Sequence, residues 1–420
     1  MKVVIMAGGK GTRISPLYKN IPKSMIELNG KPIIAHQIEN FKNFGLKEFI
    51  ITVGPMGEQI MKYLGNGSKY NVTIEYYVEK QPLGTAGALF SLKDKLTDDF
   101  FVLNGDLLFD IDIFSFLQFH LHNDGYATVL SHANNHPYDS SIIQSSQTGL
   151  VVRWMHKEMK NNWYKNQVNA GIHILSPNIL NACEPNKPLD LDCDVLMPLV
   201  NQKKLYAYKT TEYVYDIGTP ERFADAVRDL QFGMPNKKRI KNKQQAIFLD
   251  RDGVINKEKG IIRDINDFEL IEGVSQAIQK MNRCGWLVIV ITNQPVIARG
   301  ELSLEGLEEI HNKMETLLGN EGAFIDDIFV CPHHPHRGYE GELLEYKIAC
   351  ACRKPKPGML IEASKTYNIN LGKSWMIGNH IRDIMAGKAA GCKTAYIGNQ
   401  NNGLNSFETL LQFSENELSY

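Results

Sequence analysis

Short apolar runs alternate with longer segments of helical period along the 420-residue chain. "KVVIMAG" is nearly continuous in apolar residues, the pattern of a strand covered on both faces. "PIIAHQIENFKNFG" places its apolar residues three and four apart, which predicts a helix stopped by Gly45. "EFIITVG" and "FFVLNGD" read as further buried strands. The alternation then starts afresh. "AIFLDRDG" is a strand ending in acids, "GVSQAIQKMNRCG" a helix closed by Gly285, and "WLVIVITNQ" a strand. "LEGLEEIHNKMETLLG" follows as a helix and "SWMIGNH" as a third strand. Strand–helix–strand order predicts α/β architecture in both halves, each with parallel strands and helices on both faces. Between them, "MPNKKRIKNKQQ" carries five basic residues and little apolar content. It predicts a basic linker over 234–243, dividing a domain over 1–233 from one over 244–420.

Charge changes this picture little. There are 46 basic and 47 acidic residues, so nothing global favours a nucleic-acid partner or a membrane surface. No apolar run approaches the roughly 20 residues that span a bilayer, and the N-terminus lacks the pattern of a signal peptide. The expectation is a cytoplasmic protein acting on small molecules, with a homo-oligomer left open. Seven cysteines do not make a disulfide framework at this length. Cys183, Cys193, Cys284 and Cys392 are scattered and read as small core residues.

Candidate chemistry falls in two places. After the first strand comes "MAGGKGTRISPLYKNIPKSM". Gly8, Gly9 and Gly11 let backbone N–H groups approach an anion, and Arg13 and Lys23 add positive charge suited to phosphates. A lone G-x-G would be an ordinary turn; the spacing from strand through glycines and Arg to Pro-Lys is far more specific. The Walker pattern is absent. This stretch resembles the sugar-1-phosphate nucleotidyltransferases, through Gly8, Gly9, Gly11, Thr12, Arg13, Pro16, Pro22 and Lys23, and the likeness extends over about residues 1–233. The resemblance implies a Rossmann-like, GT-A-like mixed sheet. It places Gln81, Gly84 and Thr85 of "EKQPLGTAGAL" at the nucleobase and Asn169 of "NAGIHIL" at the sugar. Asp106 of "LNGDLL" and Asp216 of "YDIGTPERF" become magnesium carboxylates. Where the family often carries Glu-Lys-Pro before the sugar strand, this chain has "WMHKEMK": Lys157 matches the lysine, and His156 stands where the sugar-binding Glu is expected.

In the second half, "FLDRDGVIN" sets Asp250 and Asp252 two positions apart at a strand end. Such a pair suits phosphoryl transfer, one carboxylate attacking phosphorus while the other handles the leaving-group proton. Thr292 and Asn293 follow a strand and offer hydrogen bonds to phosphate; Arg353 and Lys354 of "RKP" balance its charge. With Asp383 of "GNHIRDIMAG", the set resembles the haloacid-dehalogenase (HAD) phosphatases over about residues 244–420, which implies a Rossmannoid parallel sheet. Asp250 is then the nucleophile, Asp252 the acid/base and Lys354 the phosphate partner, with Mg²⁺ at Asp250, Asp252, Asn379 and Asp383. By "DRDGVIN", "IARG", "CPHHP" and "CACRKPKPGM" the likeness is to heptose 1,7-bisphosphate phosphatases; histidinol phosphatases share fewer of these runs. Two positions depart from the pattern. "TNQPV" replaces the family's "TNQSG", and "GNHIRD" puts Asn379 where a magnesium carboxylate is usual.

Cys331-x-His333 and, sixteen residues on, Cys350-x-Cys352 give three sulfurs and an imidazole in two chelating pairs, the set of a closed structural zinc site. His334 and His336 are surplus and expected to face solvent. Joined by resemblance, the two halves imply one sequence of reactions. Loss of the C7 phosphate from heptose 1,7-bisphosphate gives heptose 1-phosphate, and GMP transfer from GTP makes GDP-D-glycero-α-D-manno-heptose. Rival readings pair a mannose-1-phosphate guanylyltransferase with another sugar phosphatase, or make the second half only a scaffold.

Overall fold

The computed structural model describes residues 1–9, 20–156, 163–181, 187–398 and 404–418. Gly11, Thr12, Arg13 and Lys157 lie outside the described residues. The chain forms two compact units. One comprises Met1–His132, Ile143–His156 and Asn169–Arg239; the other comprises Ala133–Ile142, Lys157–Val168 and Ile240–Tyr420.

The N-terminal unit is built on a mixed sheet. Parallel strands Phe100–Asn104, Val3–Ala7, Glu48–Val53 and Thr73–Val78 lie side by side, and Val168–Leu175 adds to Phe100–Asn104 antiparallel. The alternation seen in the sequence predicts the parallel centre, and the mixed character matches the family expectation. Successive side chains of the first strand enter opposite layers, Val3 and Ile5 in one core and Val4 in the other. Burial on both faces is why "VVIMA" lacks polar alternation.

The C-terminal unit carries a wholly parallel sheet. Its order is Asp327–Cys331, Leu287–Asn293, Ala246–Leu249, Trp375–Gly378, Lys393–Ile397 and Ser406–Phe407. Again odd and even positions divide: Ile247 and Leu249 pack in one apolar cluster, Ala246 and Phe248 in the other. The four strands at the centre and one edge end at Cys331, Asn293, Leu249 and Gly378, each followed or closed by a residue of candidate chemistry. Loops leaving the carboxyl ends of parallel strands are where such sheets bind ligands.

Two expectations about domain limits change. The C-terminal unit is not contiguous, because Ala133–Ile142 and Lys157–Val168 belong to it. Tyr164 N and Asn166 N donate to Thr316 Oγ1 at 2.8 Å and Glu315 Oε2 at 3.0 Å on the helix Leu304–Asn320, burying both polar side chains with their partners satisfied. Nor is the basic stretch 234–243 uniformly solvated. Met234–Lys237 is a helical turn with Met234 buried, and Arg239 Nε pairs with Asp110 at 2.7 Å inside the N-terminal unit. Among the scattered cysteines, Cys392 is buried as expected, Cys284 is half-buried, and Cys193 is exposed on a turn capped by Asp190.

Candidate active sites

In the N-terminal unit, the ends of three parallel strands converge on one cavity of about 450 Å³. Gly8 and Gly9 leave Val3–Ala7, Gly54 leaves Glu48–Val53, and Gly105 and Asp106 leave Phe100–Asn104. Gly54 is required by close approach, since a Cβ there would lie 2.6 Å from Gly8 O. Lys23, Gln81, Gly84 and Thr85 line the same cavity, so the structure brings together most of the described residues singled out from the sequence. Lys23 Nζ meets Asp106 Oδ2 at 3.1 Å. Gly84, at φ +73°, passes so close to Leu189 O that a Cβ would lie 2.3 Å from it, and Thr85 Oγ1 accepts from Leu191 N at 2.7 Å.

Two further residues sit differently from a bare ligand. Asp216 ends the strand Tyr213–Asp216, opposite Leu107, and Ile217 N donates to Asp106 O at 3.1 Å, which sets the two acidic residues on neighbouring backbone. Arg222 Nη1 holds both Asp216 oxygens, at 2.9 and 3.1 Å. Thr219 caps that arginine's helix, accepting from Arg222 N, with Pro220 in its first turn. Asn169 Nδ2 donates to Asp192 Oδ1 at 3.0 Å, and its Oδ1 accepts from Gly171 N at 3.0 Å. Neither Asp216 nor Asn169 lines the cavity. The sequence reading missed Glu79, which does line it, between Thr52 and the 81–85 loop; burial raises its carboxyl above the usual range. Glu79 opens the same quoted run as Gln81, and its acidic type so near that glutamine was the available signal.

The C-terminal site is tighter. Asp250 directly follows its strand, and Lys354 Nζ lies 2.8 Å from Asp250 Oδ1 and 2.8 Å from Asp383 Oδ1, all three side chains being buried. Lys354 Nζ also donates to Ile291 O at 2.7 Å. Arg251 N donates to Asp250 Oδ1 at 2.8 Å, so this bond and the Lys354 contact fall on the same oxygen. Burial raises the Asp250 carboxyl above its usual range, Lys354 opposes that rise and the Asp383 carboxylate adds to it. Asp383 occupies the third position of the helix Ile381–Ala390 and accepts from His380 N at 3.1 Å, closing a capping box. Gly378 permits this, since a Cβ there would lie 2.3 Å from that of Asp383.

Asp252 is fixed by residues that the sequence reading passed over. Arg251 Nη2 reaches its Oδ1 at 2.8 Å, Asn256 Nδ2 the same oxygen at 3.1 Å, and Gln294 Nε2 its Oδ2 at 2.8 Å. Arg251 is itself fully buried, and its Nη1 donates to His311 Nε2 at 3.2 Å. Burial and the guanidinium push the His311 pKa well down, keeping it the neutral acceptor this bond needs. Arg251 lies between two acids already singled out, and Gln294 completes "TNQ"; their adjacency was the signal.

Thr292 and Asn293 end the strand paired with the one that leads to Asp250, and both are engaged with protein. Thr292 Oγ1 accepts from Gln294 Nε2 at 2.8 Å. Asn293 exchanges two 3.0 Å bonds with the backbone of Lys354, fixing that lysine's position. Arg353 Nη1 donates to His333 O at 3.0 Å. Pro295 starts a short helix, Pro295–Ala298, with Val296 buried.

Cys331, His333, Cys350 and Cys352 place one ligand atom each within 4.8 Å of all the others. Sulfur–sulfur separations of 3.2 to 3.6 Å and a 3.3 Å Cys352 Sγ–His333 Nδ1 distance match the edges of a small tetrahedron. The soft donor set fits zinc; the oxygen donors around Asp250 and at Asp106 and Asp216 fit Mg²⁺. The expectation for His334 fails: it is buried, its Nδ1 3.3 Å from His336 O and its ring edge-on to Tyr339. His336 is exposed as expected.

These features match known proteins half by half. The chain belongs to the nucleotidyl transferase family, whose model matches residues 2–232, and a HAD-hydrolase-like model matches residues 351–406. The chain is 43% identical over 152 residues to the D-glycero-beta-D-manno-heptose-1,7-bisphosphate 7-phosphatase of Vibrio cholerae, spanning 36% of this chain and 80% of that one. It is 33% identical over 229 residues to the mannose-1-phosphate guanyltransferase of Pichia angusta, spanning 53% of this chain and 62% of that one. A Bacillus anthracis structure described as a glucose-1-phosphate thymidylyltransferase shares the N-terminal fold, with a TM-score of 0.50 at 22% identity over 54% of this chain and 94% of that one. The protein is therefore an enzyme of two activities, a nucleotidyltransferase and a HAD-type phosphatase. Among the described residues, no helix is long and apolar enough to cross a membrane.

Proposed function

We propose that the phosphatase half releases the C7 phosphate of D-glycero-D-manno-heptose 1,7-bisphosphate and that the transferase half couples the resulting heptose 1-phosphate to GMP. The products are GDP-heptose and pyrophosphate, made in the cytoplasm. The observation that carries this reading is the pairing itself. Removing the 7-phosphate from the bisphosphate in the phosphatase relative's name leaves a sugar 1-phosphate, the substrate class in the names of the guanyltransferase relatives. Guanine is supported by the named guanyltransferase relatives and by Glu79, because a carboxylate in the cavity can accept from both N1–H and the 2-amino group of guanine.

In the phosphatase, Asp250 Oδ2 attacks phosphorus, the phosphorus–sugar oxygen bond breaks, and Asp252 delivers its proton to the departing oxygen. Water then attacks the aspartyl phosphate, Asp252 takes its proton, and phosphate leaves. Lys354 and Arg353 hold phosphate oxygens. In the transferase, an oxygen of the sugar phosphate attacks the α-phosphorus and the bond to the β-phosphate breaks, with Lys23 and Arg13 balancing charge. Asp106 and Asp216 in one site, and Asp250, Asp252, Asn379 and Asp383 in the other, would hold Mg²⁺, which would supply positive charge against the phosphates. Cys331, His333, Cys350 and Cys352 would hold a structural zinc, which would tie down the loop that ends in Arg353 and Lys354.

A second reading, mannose 1-phosphate as the acceptor, rests on the names of the guanyltransferase relatives. One coupled assay separates the two. Heptose 1,7-bisphosphate is supplied with each nucleoside triphosphate in turn, and product masses are measured beside parallel reactions with mannose 1-phosphate. GDP-heptose from GTP is the expected product. Conversion of mannose 1-phosphate alone, or phosphate release without any nucleotide sugar, would overturn the proposal.

A further inference from the structure

Asn379 leaves the phosphatase site one carboxylate short, and the structure holds another acid beside it. The side chain of Glu258 reaches Asn379, its Oε2 lying 3.4 Å from Asn379 Nδ2. The amide therefore points its nitrogen outward, and its Oδ1 is buried without a hydrogen-bond partner among the described residues. Turning the amide over would set that oxygen against a carboxylate, so the arrangement has one sense only. An unpartnered buried carbonyl oxygen is costly unless something arrives to meet it. Asn379 follows the strand end at Gly378, which packs on Asp383 and whose neighbour Ile377 accepts from Asp250 N at 2.9 Å, and a hard cation is the partner that a neutral oxygen at such a place is suited to.

Gly253 makes this approach attainable. At φ +78°, it lies so close that a Cβ would fall 2.0 Å from Asn379 Nδ2 and 3.1 Å from Glu258 Oε2. The loop leaving Asp252 thus has no side chain at the point where Glu258 folds back over Asn379. The nearest basic group to the Glu258 carboxylate is His380, with Nε2 3.9 Å away, and no Lys or Arg among the described residues pairs with it.

We infer that Glu258 is a positioning residue for the phosphatase magnesium, accepting from the Asn379 amide so that Oδ1 faces the ion and supplying the charge that position 379 lacks. This rests on the reading of the site as magnesium-dependent. An outer partner of a metal ligand typically governs affinity by roughly 10- to 100-fold.

The test uses the full chain carrying Asp106→Asn to silence the other magnesium site, with Mg²⁺ titrated calorimetrically in the absence of substrate. Glu258→Gln should weaken binding by roughly 10-fold or more, and adding Asn379→Asp to that variant should restore it. Asn379→Asp alone should bind Mg²⁺ more tightly than its parent. Equal affinity in the parent and in Glu258→Gln, with zinc content and melting temperature unchanged, would overturn the role of Glu258 while leaving the magnesium reading intact. If the parent itself shows no saturable Mg²⁺ binding, both fall together.

Discussion

Lys23 and Lys354 each face a carboxylate at the end of a parallel strand, yet their surroundings differ. Lys23 lies 3.1 Å from Asp106 with 17% and 23% of the two side chains exposed, on the wall of an open cavity. Lys354 is enclosed between Asp250 and Asp383, 2.8 Å from each, with at most 5% of any of the three side chains exposed. The chemistry explains the contrast. In nucleotidyl transfer, the nucleophile and the leaving group both arrive with the substrates, so the site must admit two anions. In the phosphatase half, the proposed mechanism takes its nucleophile from the protein, at Asp250, and such a group must be aimed before substrate arrives. Burial strengthens each interaction and makes each lost partner expensive.

The largest way to break this comparison is to remove one nucleophile. Asp250→Asn should cut phosphate release by at least about 10³-fold while the same variant transfers GMP to supplied heptose 1-phosphate at the wild-type rate. Lys23→Met should do the reverse, lowering transfer by roughly 10²-fold and sparing phosphate release. Loss of both activities in either variant would show that the two sites are not independent. Stability should divide the same way. Lys354→Met leaves two buried carboxylates unpaired and should cost about 3–5 kcal/mol, whereas Lys23→Met should cost no more than about 1 kcal/mol. Calorimetry that resolves separate unfolding transitions would check this, and equal shifts would refute it.

Zinc sharpens the picture at the next scale down. Cys350→Ser should abolish stoichiometric zinc by elemental analysis and lower the melting temperature of the phosphatase transition by roughly 5–10 °C. The transferase transition should not move. The smallest expected effect is on pH. Burial and Asp383 raise the Asp250 carboxyl, so attack is lost as pH falls through that raised value, above the ordinary aspartate range. Asp383→Asn removes a charge that favours the protonated form and should move the acid limb of the phosphatase profile to lower pH. An unmoved limb would mean that Asp383 does not act on the nucleophile.

Much of the fold was legible because burial on both faces leaves continuous apolar strands, and runs such as "AIFL" and "LVIVIT" declare themselves. Asp250, Asp106 and Lys354 could be read because each sits at fixed spacing from such a run or from a proline. Glu258 could not, since it acquires meaning only from Asn379 on another loop; Glu79 left a signal in its own run, and its place beside Gly8 and Thr52 was set by tertiary packing. The backbone bonds of Tyr164 and Asn166 to a helix about 150 residues away carry no local signature either.

By itself, then, the sequence determined two α/β units, the glycines that follow the first strand, the acid pair and a cluster of three cysteines and a histidine, all encoded by short-range period and spacing. Tertiary structure alone decided that two early segments pack with the C-terminal unit, that Asn293 positions Lys354, and that Glu258 stands beside Asn379. Those are long-range juxtapositions, and no local preference of the chain specifies them.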